Sequence, residues 1–144
     1  MSDKMDPRAD LEQRIDAIES GYEFLLAYAA QGRESDKGAA AGRNVREFLE
    51  NMQTALESLG AVVVACAQRA DPELAVSCAA FFAAVDGDAR IAQAVIRLVL
   101  ARPDISSQLV DNLNASIHLR ALLTDLFVVD EALKGPRKPA TTSA

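Results

Sequence analysis

Residues 45–66, VREFLENMQTALESLGAVVVAC, decide how this chain folds. Their apolar positions, Val45, Leu49, Met52, Leu56, Leu59, Val63 and Cys66, follow one another at steps of four and three without a miss. That spacing is one stripe of a helix that turns every 3.6 residues, so the stretch is expected to be a long helix buried along one side. It is a packing instruction and names no substrate.

Towards the N-terminus, Asp6-Pro7 places a capping acid before a proline at the first helical position. Leu11, Ile15, Ile18, Tyr22, Leu25 and Ala29 then recur at fours and threes, and Gly32 suits the residue just past the helix end. Residues 32–38 are charged and turn-rich. Gly38-Ala-Ala-Ala-Gly42 weakens the first turns of the second helix, whose start is expected near Asn44.

Towards the C-terminus, Asp71-Pro72-Glu73 repeats the start signal, and so short a turn sets the second and third helices antiparallel and side by side. The third helix carries Leu74, Cys78, Phe81 and Val85. The same count brings Asp88 onto its buried stripe, so Asp86-Gly87-Asp88 is expected to end or kink it. Ile91, Val95 and Leu98 open a new stripe up to Arg102-Pro103, which makes residues 72–102 either one kinked helix or two. Asp104 then caps a last long helix through Leu109, Leu113, Ile117, Leu119, Leu122, Leu126, Val129 and Leu133, stopped by Gly135-Pro136.

The expected fold is all-α: a single-domain bundle of four to five mostly antiparallel helices over residues 7–134, with 45–66 at its centre. Residues 1–6 and 135–144 are expected to be disordered ends. At 144 residues the chain can bury a core without metal or disulfide staples, and its alanine richness and scarcity of aromatics favour thin, closely packed helices over strands.

The net charge of −6 removes the usual electrostatic source of nucleic-acid binding. No apolar run approaches the ~20 residues of a membrane span, and no secretory h-region is visible, so a cytoplasmic protein is expected. No Gly-rich phosphate loop is present, and the one histidine lacks the Glu-x-x-His context of a di-iron bundle. The sequence therefore assigns no catalytic, cofactor-binding or metal-ligating residue and calls for no cofactor.

Three groups of candidates remain. Asp111, Asn114, His118 and Asp125 fall on one stripe if the last helix is continuous, a polar face able to hold a metal or to sense pH. Cys66 and Cys78 flank the Asp71-Pro72 turn at matching heights, where they form either a thiol pair or two small buried hydrophobes. Phe24, Tyr28, Phe82 and Phe127 lie beside the main stripes, giving an apolar surplus that suits an interface. A non-enzymatic interaction protein (an adaptor, regulator or assembly factor) acting through apolar helix faces, with a protein partner or as a homodimer, is the expected function. The alternatives are a bundle that binds a small apolar molecule or lipid, and a metal or thiol-redox protein using His118 or the cysteines.

Overall fold

The computed structural model describes residues 5–38 and 40–134. The ends expected to be disordered, apart from residues 5 and 6, lie outside the described residues. Among those described there are seven helices: α1 (Pro7–Ala29), α2 (Ala40–Leu56), α3 (Leu59–Ala70), α4 (Pro72–Ser77), α5 (Ala79–Leu100), α6 (Ser107–Ala115) and α7 (His118–Lys134). The chain is all-helical, but the expected count of four to five is too low, because three of the expected helices are broken.

The stretch 45–66 divides at Glu57–Ser58, where Ser58 takes a left-handed φ of 55°. The carbonyls freed at the end of α2 are not left bare. The Arg14 guanidinium, fixed by Asp10 at 2.8 Å, donates to the Ala55 and Glu57 carbonyl oxygens at 3.0 and 2.5 Å. All seven stripe residues remain buried across the break. The last helix divides at Ser116–Ile117, with Ile117 also left-handed at φ 48° and Ser116 Oγ donating to the Leu113 carbonyl oxygen at 2.6 Å.

The third expected helix breaks at Cys78 rather than at Asp86-Gly87-Asp88, which lies inside an uninterrupted α5. Asp86 fits over Gly60 of α3 and accepts from Arg90 one turn on, while Asp88 faces another carboxyl and not an apolar wall. Both Asp-Pro starts are realised, with Asp6 accepting from Ala9 N–H and Asp71 from Leu74 N–H, each at 3.2 Å. Gly32 is left-handed just past α1, and α2 begins at Ala40, ahead of the start expected near Asn44.

The helices assemble as four rods: α1, the broken α2–α3, α5 and the broken α6–α7. Both α1 and α5 pack against each of the two broken rods, whereas α1 and α5 lie diagonally apart. No rod is central, so 45–66 is one wall among four and not the middle of the bundle. Contacts fix the directions. Arg14 meets Ala55 while Phe24 stacks on Phe48, and Gln93 meets Gln53 while Arg46 meets the Leu100 carbonyl. Arg8 meets Asp130 while Tyr28 reaches Ile105. Neighbouring rods are thus antiparallel around one continuous apolar core.

The two ends of the bundle differ. Where α1 and α5 finish, the loops after them are tied by a buried polar network. Asp36 accepts from Ile105 N–H at 2.8 Å and from Arg46 Nε at 2.6 Å, and the same Arg46 donates to the Arg102 and Pro103 carbonyls. Tyr28 OH donates to the Ile105 carbonyl at 2.7 Å, and Ser107 Oγ donates to the Tyr28 carbonyl at 2.7 Å while accepting from Arg33 N–H. Burial alone would raise the Asp36 pKa, yet the bonds from Arg46 and Ile105 hold its carboxyl below the ordinary value. The opposite end is joined by more exposed pairs, Arg69–Asp6 and Arg8–Asp130.

Candidate functional site

α5 and α7 bring Asp88 and Asp125 face to face, carboxyl against carboxyl, at the edge of the core. Asp125 Oδ2 is buried and finds no donor among the described residues. Burial pushes this carboxyl up, and the hydrogen bond and negative charge of Asp88 push it further, to about 7. Among the described residues no cation offsets them. A negative charge so close to a partly buried carboxyl favours the protonated form of Asp125. Near neutral pH Asp125 can take up or release a proton, but among the described residues no third His, Cys, Asp or Glu joins it and Asp88 to make a metal site.

Of the expected polar stripe, only Asp125 belongs to this pair. Asn114 is buried on α6 and donates to the Leu25 carbonyl oxygen at 3.2 Å, while its own Oδ1 finds no partner among the described residues. Asp111 is exposed on the rim of a surface cleft beside Ser107, and half-buried His118 starts α7 beyond the break. The turn at Ile117 sets α6 and α7 at different phases, so one stripe cannot run through both. Asp88 was missed in the sequence because its partner lies in another rod, and only the count that placed it on the buried side hinted at it.

Both cysteines are free thiols. Cys66 is buried near Arg8, Arg69 and Lys134 at a cleft of about 380 Å³, where burial raises its pKa and makes it a poor nucleophile at neutral pH. Cys78 is half-buried at the α4–α5 junction, 3.8 Å from Ser77 Oγ.

The aromatic candidates separate into core and surface. Tyr28 is fully buried and Phe82 nearly so, while Phe24 stacks on Phe48 with ring centres 4.3 Å apart. Phe127 is 44% exposed. Single apolar side chains are more exposed at Val76 on α4, Ile117 between α6 and α7, Val128 on α7 and Leu98 on α5, and on α5 the exposure continues along one face. The buried side of that helix runs through Phe82, Val85, Ala89, Ala92, Ile96 and Val99, so Ile91 and Leu98, expected in the core, face outward. With them the outward side reads Ala80, Ala84, Gly87, Ile91, Ala94 and Leu98, steps of four and three with no charge. A methyl group at Gly87 would meet nothing within 4 Å, whereas one at Gly60 would lie 2.5 Å from the Asp86 Cβ.

The alanines at 89 and 92 were the signal for the true buried phase, since small residues mark where helices approach closely. The clefts around the molecule, about 380–440 Å³ each, are open at the surface and edged by charged or polar side chains. Among the described residues no helix is long and apolar enough to cross a membrane. No protein family, characterised protein or solved structure matches this chain.

Proposed function

We propose that this chain is a non-enzymatic helical interaction protein whose working surface is the outward face of α5. The observation that supports this reading is the uncharged stripe from Ala80 to Leu98, about 27 Å long at 1.5 Å per residue, with Ile91 45% and Leu98 65% exposed. Fully burying a side chain of that size is worth ~1.5–3 kcal/mol, which this chain alone does not collect. Gly87 adds a second cost, since glycine inside a helix loses ~1 kcal/mol against alanine, and no neighbour among the described residues needs the space. A helix laid along α5 would use both the apolar stripe and the close approach that glycine permits. Asp88 lies on the α7 side of this stripe, so the carboxyl pair sits at its border.

A photo-crosslinking side chain at position 98, activated in the cells that make the protein, tests the reading. Protein adducts at 98, absent when the same group stands at exposed Glu73, are expected. A protein that reacts at neither position, or equally at both, refutes it.

A further inference from the structure

Resting on the reading of α5 as the working surface, we infer that its occupant is the same face of a second copy, with the two α5 helices antiparallel about a two-fold axis at Ile91. The residues on and beside the stripe are complementary to their own reversed order. Seven residues either side of Ile91 stand Leu98 and Ala84, so antiparallel pairing brings each exposed leucine over the partner's small alanine. Ala94 comes beside Gly87 in the same way, and the two Ile91 side chains meet at the axis. A closed, isologous contact needs this self-complementarity, large against small in both directions.

Charge fits the same register. Asp86, Arg90 and Arg97 share one flank of the stripe, being four and seven residues apart. Arg90 is occupied by Asp86 of its own chain at 2.9 Å, whereas Arg97 has no ion-pair partner among the described residues. In the antiparallel pair the flanks stay on the same side, and Arg97 comes level with Asp86 of the second copy to within ~1.5 Å along the axis. Two symmetry-related ion pairs then border the apolar seam. A parallel arrangement would instead put the two flanks on opposite sides of the seam and form neither pair. A contact built mainly on one helix is smaller than a permanent dimer interface, and dissociation in the ~1–100 μM range follows.

Analytical ultracentrifugation of the full chain between ~5 and ~500 μM tests the pairing. The wild type is expected to dimerise over that range. Leu98→Glu and Arg97→Glu, both at exposed positions, should each weaken it at least ~10-fold with unchanged helicity by circular dichroism. Because Arg97→Glu sets like charges against Asp86, adding Asp86→Lys should restore association. As a route that does not depend on that swap folding, Ile91→Cys in a Cys66→Ala, Cys78→Ala background should form a disulfide dimer under mild oxidation, and Glu73→Cys should not. A monomer at ~500 μM, or a dimer indifferent to both single variants, overturns the inference. If that monomer still cross-links from position 98 to a different protein, the working surface stands and only self-pairing falls; silence in both assays removes both.

Discussion

Replacing Asp125 with asparagine is expected to stabilise the bundle at pH 8 and to flatten its dependence on pH. In the unfolded chain this carboxyl titrates at its ordinary 3.8, and in the folded chain burial and Asp88 lift it to about 7. Between those values the folded protein holds a proton that the unfolded chain releases. Stability from the pair is therefore complete below about pH 4 and is lost as pH rises through 7. Roughly three units at 1.36 kcal/mol each set a ceiling of ~4 kcal/mol, and the partial exposure of the seam brings the expected loss to ~1–2 kcal/mol. Asparagine cannot ionise, and its amide can donate to Asp88, so the variant keeps a bridged seam at every pH. Asp36 acts with the opposite sign. Its folded pKa is lowered, so its contribution is present above 3.8 and disappears only as pH falls through the lower folded value. It adds no slope between pH 5 and 8. Urea unfolding of both proteins at pH 5, 6, 7 and 8 measures the effect. A wild-type midpoint that does not fall over this range, or an Asp125→Asn protein with the wild-type slope, would refute the raised pKa of Asp125.

Other substitutions probe the packing. Gly60→Ala forces a methyl group against Asp86 and should cost ~1–3 kcal/mol, whereas Gly87→Ala, measured at ~1 μM by thermal melting, should gain ~0.5–1 kcal/mol; equal effects of one sign would contradict the packing. Asp36→Ala strips Ile105 N–H and Arg46 Nε of their acceptor and is expected to cost ~2–4 kcal/mol in urea melts at pH 7. Ile117→Gly should stabilise the protein by ~1 kcal/mol despite glycine's entropy, because a β-branched residue is costly at φ 48°. A lower melting temperature for this variant would show that the turn does not hold that conformation.

The core of this fold was legible because burial follows period, and its breaks were not because they preserve period. Leu56 and Leu59 stand three apart whether or not Ser58 bends the chain between them, so the stripe through 45–66 is the same for one helix or two. What makes that break tolerable is Arg14, from a different rod, satisfying the Ala55 and Glu57 carbonyls. No local pattern could announce it. Asp88 shows the reverse case. Counting placed it correctly on the buried side, and a break was inferred because a lone buried carboxylate is costly. In the structure Asp88 is only half-buried and faces Asp125 across the seam, so α5 continues through it. After Gly87 the large residues of α5 point to the wrong phase. Ile91 and Leu98 look like core, yet Ala89 and Ala92 mark where α5 meets its neighbours.

The polar network binding Asp36, Arg46, Tyr28, Ile105 and Ser107 gives the rods a stiff end and leaves the opposite end to ion pairs in water, where Arg69 and Asp6 keep more than half their side-chain surface exposed. Such pairs are worth little and weaken with salt. Opening motions should therefore grade along the molecule. The Ile105 amide, locked to Asp36, is expected to exchange with deuterium only on global unfolding. Amides in the last turns of α3 and α7 should exchange through small local openings that quicken with ionic strength. The bundle thus breathes from one end, and α5 is anchored at its C-terminus in the end that stays shut.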